Sequence, residues 1–248
     1  MSLHLPRLGG DPTWFPPLDS ALRRPDGLLA FGGDLSPVRL LEAYRRGIFP
    51  WYSEGQPILW WSPDPRAVFD TDGVHLATRF RRSLRGSAWT VRADTAFDAV
   101  IGHCAALPRP GQGGTWITDA MADAYAALHR LGHAHSIEVH DGDGSLVGGL
   151  YGVAVGRMFF GESMFSVRSG GSKVALAALA ARLRTWGWPL IDAQVGNPHL
   201  ATLGARMLAR GRFEQQVHGL AAGEGLPGSW TGVFGELAAA SLAPSQGL

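Results

Sequence analysis

Apolar positions in the second half of the chain change period in a fixed order, and that order predicts the elements. After Thr118, which suits a helix N-cap, Met121, Tyr125 and Leu128 share one helical face, and Gly132 stops the helix. Over 133–140 apolar residues alternate with others, 141–144 (Asp-Gly-Asp-Gly) reads as a turn, and 146–155 reads as the hairpin partner. Gly156 and Arg157 turn the chain into a third strand over 158–161. Helical spacing returns over 172–186 and ends at Gly187, a buried strand follows over 190–195, and Asn197-Pro198 opens another short helix.

Upstream, Ser36-Pro37 and then Leu40, Leu41, Ala43 and Tyr44 predict a short helix closed by Gly47. Residues 47–66 interleave three tryptophans, Phe49 and Tyr52 with four prolines and two glycines. Neither a helix nor a regular strand tolerates that many prolines, so large flat rings are expected on rigid, irregular backbone. Such rings suit stacking on a base, a ring or a cation, and equally a Pro-stapled mini-core. Pro63-Asp64-Pro65 is a stiff link that divides a small N-terminal domain, 1–64, from a larger one, 65–248. Beyond it lie a strand over 89–92 and a helix capped by Asp94, on which Phe97, Val100, Ile101 and Cys104 share a face, so Cys104 reads as core. The class is α+β. From Gly114 the order helix, three-strand meander, helix, strand, helix resembles the splayed mixed sheet of the N-acyltransferase (GNAT-like) superfamily, flanked by helices.

Composition narrows the choice of partners. With 248 residues, 46% of them hydrophobic, the chain buries a sizeable core as one large domain or two unequal ones. A net charge of +1 means that any nucleic-acid contact comes from a local patch, and Lys173 is the only lysine among the basic residues. Cys104 is the only cysteine, so no intrachain disulfide forms and the cytoplasm is the natural compartment. Residues 1–17 have no apolar stretch of the signal-peptide kind, and no run reaches membrane-span length.

Candidate chemistry concentrates in two places. In the apolar run at 190–195, Asp192 and Gln194 are two residues apart and project from the same side of a strand. A carboxylate there is costly unless hydrogen-bonded or paired, which fits a functional site and also a structural hydrogen-bonding hub. Glu162 follows an apolar strand and Gly161, where a site residue or a turn cap would stand. Arg79, Arg81, Arg82, Arg85 and Arg92 occur with no acid between Ala77 and Arg92, either as a solvated basic face or as a track for phosphates. Ser169-Gly170-Gly171-Ser172-Lys173 at a helix start could cradle an anion but lacks phosphate-loop spacing. His129, His133 and His135 have no Cys or acid at ligand spacing, so no metal site is expected.

Together these segments resemble the bacterial leucyl/phenylalanyl-tRNA–protein transferase family. The likeness rests on GLLAFGGDLS at 27–36, RGIFPW at 46–51, LWWSPDPR at 59–66, GTWIT at 114–118, GHAHSIEV at 132–139, GESMFS at 161–166 and IDAQV at 191–195. The resemblance implies transfer of Leu or Phe, with Met a further candidate, from aminoacyl-tRNA to proteins whose N-terminal residue is Arg or Lys, which marks them for degradation. It places site positions at Tyr44, Trp51, Trp116, Tyr125, Glu162, Asp192 and Gln194. On this reading Asp192 and Gln194 are catalytic. Gln194 orients the amine, because an amide is too weak a base to take a proton alone, and proton removal is shared by Asp192, the terminal ribose hydroxyl or water. Glu162 meets the cationic acceptor, and Tyr44, Trp51, Trp116, Tyr125 and Arg79, Arg81, Arg82 and Arg85 meet the adenosine and the tRNA. Met164, Leu176, Leu179 and Ile191 line the amino-acid pocket, with Leu179 standing where a phenylalanine can occur in the family. Aminolysis of an activated ester requires no metal or organic cofactor, and the expected protein is a monomer with no membrane partner. Two rivals remain. An acyl-CoA-dependent N-acetyltransferase would carry a pyrophosphate loop that 165–173 lacks, and a non-catalytic RNA-binding module would have little use for Asp192 beside Gln194.

Overall fold

Ser36 accepts a hydrogen bond from the Arg39 amide and Pro37 occupies the first turn, so helix α1 (Pro37–Arg45) starts where the sequence places it. The computed structural model describes residues 5–106 and 117–243. Around α1 lies an N-terminal sheet of short strands, β1 (Arg7–Leu8), β2 (Leu28–Gly32), β3 (Phe49–Pro50) and β4 (Leu59–Trp61), in the order β1-β2-β4-β3. The aromatic and proline-rich segment is therefore more regular than expected. Its strands are short enough to keep Pro50 at an edge, and Trp60, fully buried, donates from Nε1 to the Gly32 carbonyl.

The larger sheet gathers the rest of the strands. The chain runs through β5 (Arg66–Asp70), α2 (Thr78–Ser83), β6 (Thr90–Ala93), α3 (Phe97–Ala106) and α4 (Asp119–Arg130). It continues through β7 (Ala134–His140), β8 (Leu146–Val155), β9 (Met158–Ser166), α5 (Gly171–Thr185), β10 (Leu190–Gln194) and α6 (Pro198–Thr202). Last come β11 (Arg206–Leu208), α7 (Arg210–Ala221), α8 (Thr231–Phe234) and β12 (Leu237–Ala238). Among the described residues this makes an eight-stranded sheet ordered β11-β5-β10-β9-β8-β7-β6-β12, and the molecule is a mixed α+β protein with a separate N-terminal sheet. One apolar core packs α1, α3, α4 and the N-terminal sheet on one face, and a second packs α5, Trp230 and Phe234 on the other.

The pair β9/β10 is parallel, whereas the other pairs in this sheet are antiparallel. Its register runs only from Leu190–Met158 to Asp192–Phe160, while β9 continues to Ser166. Beyond that point the two strands no longer pair, and there lie Glu162 and Gln194, just past the last paired residue, Asp192. Strand β9 is thus longer than the predicted 158–161, and Glu162 sits inside it rather than at a turn.

Two further expectations change. The Asp94 carboxylate does not cap α3. It accepts from the Ser136 and Trp230 amides and meets His135, while Glu138 accepts from the Thr95 and Ala96 amides ahead of α3. The glycines before Lys173 serve packing, because a Cβ on Gly171 would lie 2.5 Å from the Val147 carbonyl oxygen, so α5 rests directly on β8.

Candidate active site

Glu162 lies on β9 opposite a register shift at Tyr151 and Gly152, and it is buried. Its Oε1 accepts from the Tyr44 hydroxyl at 2.7 Å and from Gln194 Nε2 at 2.7 Å, and its Oε2 accepts from the Tyr125 hydroxyl at 2.8 Å. The two hydroxyls are themselves 2.6 Å apart. Three oxygen–oxygen contacts thus close a ring between α1, α4 and β9. With Glu162 ionised, the tyrosines supply only two hydrogens to it. A proton on Glu162 gives every contact its hydrogen. Burial pushes the Glu162 carboxyl up to about 7, against the tyrosine hydrogen bonds, which pull it down. Burial and then the Glu162 charge raise both tyrosines well above their ordinary range, so they remain donors.

Asp192 is fully buried and paired. Arg66 on β5 donates from Nε to Oδ1 at 2.8 Å and from Nη2 to Oδ2 at 2.7 Å, and the Gln194 amide adds 2.9 Å to Oδ1. Gln194 has a φ of 60°, in the left-handed region, at a bulge in the β5/β10 pairing. The two side chains therefore do not project together as regular strand neighbours. Asp192 turns to Arg66, and the bulge sends Gln194 across to Glu162. Asp192 thus accepts three hydrogen bonds, two from Arg66 and one from the Gln194 amide. No described residue donates to Gln194 Oε1.

A cavity of about 100 Å³ opens beside Glu162 where β9 and β10 cease to pair. Met164, Leu176, Leu179 and Ile191 all line it, together with Asp192. Tyr44 and Tyr125 have no exposed surface, so in this conformation they hold Glu162 and offer no open face for stacking on adenosine. Trp51, 37% exposed, directly follows β3, and Trp61 Nε1 donates to its carbonyl. Trp116 lies outside the described residues.

The arginines fall on α2 and the short turn after it. Arg79, Arg82 and Arg85 are exposed, whereas Arg81 is half-buried and donates to the Leu242 carbonyl. The histidines do not converge on a metal. His135 is buried between Asp94 and the stacked ring of Trp230, and His129 stacks on Phe97. Among the described residues, no group of three or more His, Cys, Asp or Glu could hold one. Sequence reasoning missed Arg66 as a partner of Asp192. A buried Asp demands a cation, but nothing local says which one.

The family models and the curated relatives agree on one family. Residues 68–218 match the model of leucyl/phenylalanyl-tRNA protein transferase, and 33–64 match that of its N-terminal domain. A leucyl/phenylalanyl-tRNA–protein transferase of Xanthomonas euvesicatoria is 69% identical over 94% of this chain and 92% of its own length. That of Xanthomonas axonopodis is 64% identical over 99% of both. Among solved structures, L-PGS from Bacillus licheniformis overlaps 63% of this chain and only 50% of its own, at 12% identity and a TM-score of 0.35, too slight a likeness to argue from. The matches cover Tyr44, Tyr125, Glu162 and Gln194, and by them this chain belongs to the leucyl/phenylalanyl-tRNA–protein transferase family.

Proposed function

We propose that this chain is an aminoacyltransferase that moves Leu or Phe, and in the same pocket Met, from aminoacyl-tRNA to the N-terminal Arg or Lys of acceptor proteins, marking them for degradation. The observation that carries the reading is the juxtaposition of Glu162 and Gln194 with an apolar cavity of about 100 Å³, sized for one side chain. The amino-acid side chain of the donor fills that cavity, against Met164, Leu176, Leu179 and Ile191. This brings its ester carbonyl to the polar rim. Aminolysis then needs a positioned amine, a proton acceptor and donors for the oxyanion.

The acceptor's α-nitrogen attacks the ester carbon, the bond to the terminal ribose oxygen breaks, and an amide forms. Two protons leave the ammonium nitrogen, and one of them ends on the departing ribose oxygen as its hydroxyl. Glu162 meets the cationic acceptor and receives the other, which completes the hydrogens of its ring with Tyr44 and Tyr125. A carboxyl of value about 7 is matched to such a transfer near neutral pH. Gln194 orients the amine through Oε1, and Asp192 contributes by fixing Gln194. The terminal adenine stacks on Trp51 or Trp116, and the arginines of 79–85 follow the acceptor stem.

The same reading takes the large sheet as GNAT-like, on the strength of the β9/β10 parting, and divides the domains at 64/65, ahead of β5. No helix of the described residues is long and apolar enough to cross a membrane, and we place the protein in the cytoplasm on its lone cysteine, Cys104. Binding of labelled Phe-tRNA against labelled acetyl-CoA tests the assignment. Tight binding of Phe-tRNA alone supports it. Binding of acetyl-CoA alone returns the chain to the N-acetyltransferases.

A further inference from the structure

Arg66 touches none of the reacting atoms, yet it is among the largest fully buried side chains of the described residues. Both it and Asp192 have no exposed side-chain surface. Its guanidinium lies between two rings, 4.7 Å from the centroid of Phe49 on β3 and 4.6 Å from that of Phe213 on α7. The edge of the fork is bidentate on Asp192, a geometry that fixes orientation as well as charge. The N-terminal sheet, α7, β5 and β10 thus meet on one planar cation.

A cation so placed is poorly explained as a staple between strands. The ladder from Leu190–Asp70 to Gln194–Ala67 already joins β5 to β10. Well-packed apolar residues stabilise such a junction at least as well as a buried ion pair. What the pair does uniquely is local. The Asp192 oxygen that takes Arg66 Nε also takes the Gln194 amide, at 2.8 and 2.9 Å. That amide belongs to a residue with a φ of 60°, a conformation that L side chains adopt reluctantly. From this conformation Gln194 Nε2 reaches Glu162 at 2.7 Å.

We propose that Arg66 is a positioning residue of the transfer reaction: held flat between Phe49 and Phe213, it fixes the Asp192 carboxylate, which holds Gln194 in the left-handed bulge that aims its amide at Glu162 and the incoming amine. The inference rests on the transferase reading. It assigns catalytic geometry, not substrate affinity, to Arg66. Lysine in its place keeps the charge but has neither the fork nor the plane that stacks between the rings.

The test is single-turnover transfer of labelled Phe from Phe-tRNA to a peptide beginning with Arg, using the full chain. The proteins are the wild type, Arg66→Lys, Phe213→Leu, Asp192→Asn, and Arg66→Lys combined with Asp192→Asn. Arg66→Lys is expected to lower the maximal rate by about one to two orders of magnitude. The Phe-tRNA Kd and the half-saturating peptide concentration stay within about twofold, because Arg66 itself touches neither substrate. The combined variant is no slower than Asp192→Asn alone, since the two residues act in series. Phe213→Leu, which loosens the stack and leaves the pair, lowers the rate about threefold. A folded Arg66→Lys protein at wild-type rate would overturn the inference, as would donor and acceptor binding weakened as much as the rate. So would losses in Arg66→Lys and Asp192→Asn that multiply. If Arg66→Lys does not fold, Phe213→Leu decides, and an unchanged rate in it rejects the proposal. A wild-type chain that transfers nothing refutes the transferase reading itself, and so differs from every one of these outcomes.

Discussion

Burial raises the Glu162 carboxyl from 4.5 to about 7, and stability inherits the difference. The folded chain keeps a proton that the unfolded chain gives up at lower pH. Its advantage is whole below about 4.5 and is lost as pH rises through about 7. Glu162→Gln imitates the protonated carboxyl and cannot ionise. Urea melts should therefore show the variant close to wild type near pH 4.5 and more stable than wild type at pH 8, by on the order of 3 kcal/mol. Parallel pH profiles for the two proteins would mean that Glu162 is not held protonated in the fold. The same variant, which also removes the proton acceptor, should slow transfer, raise the half-saturating concentration of acceptor peptide and leave Phe-tRNA affinity nearly unchanged. Equal weakening of both would reduce Glu162 to a structural role. At Asp192 the choice of variant matters, because Ala strands the buried Arg66 and costs about 3–5 kcal/mol. Asp192→Asn also removes the charge but keeps the shape and one oxygen for Arg66, so it costs less than Ala, and transfer at saturating donor by the folded variant should fall about 10²-fold. A folded protein at full rate would remove Asp192 from the mechanism.

Among the elements, α2 tests how tRNA is held. Leu84 just after it is buried, Phe80 packs against Gly170, and Lys173 lies over the Phe80 ring, so the segment is anchored while Arg79 and Arg82 face outward. Replacing Arg79 and Arg82 with Ala should weaken Phe-tRNA binding and flatten its log–log salt dependence by roughly one unit for each phosphate no longer neutralised. A 3′-aminoacyl-adenosine, which has no stem, should be used as before, and a like loss with both donors would exclude a phosphate track. Arg81 makes a worse choice, since its Nε is committed to Leu242. Elements with local signals were legible in the sequence. Ser36, Thr118 and Asn197 each cap the helix that their position predicts. Strands β1, β2, β5 and β11 were not read, although β6 and β10, which were, are hardly longer. Helix α7 buries only Phe213 and Val217 among its twelve residues, too thin a stripe to declare itself. Sequence also named Glu162, Asp192 and Gln194 without their partners. Tyr44 is 118 residues from Glu162, and Arg66 is 126 from Asp192, and only the folded sheet brings them together.

At the scale of the molecule, the ring around Glu162 sits where two sheets share a core. Residues of the N-terminal sheet, such as Leu29 and Trp60, belong to one cluster with Tyr125, Tyr151 and Phe160 of the larger domain. Tyr44 on α1 carries a hydroxyl from one side of that seam to a carboxylate on the other. Donor and acceptor are accordingly expected to meet at the seam, with the cavity between β9 and β10 receiving the amino-acid side chain. The most direct measurement of such a transfer is the mass of an acceptor peptide beginning with Arg after incubation with the full chain and Phe-tRNA. A gain of one phenylalanyl residue at the α-amine is predicted, with none on the same peptide when its N-terminus is acetylated and none when free Phe replaces Phe-tRNA. A peptide left unchanged by a folded protein that binds Phe-tRNA, or phenylalanine appearing equally on the acetylated peptide, would contradict transfer to the α-amine at this site.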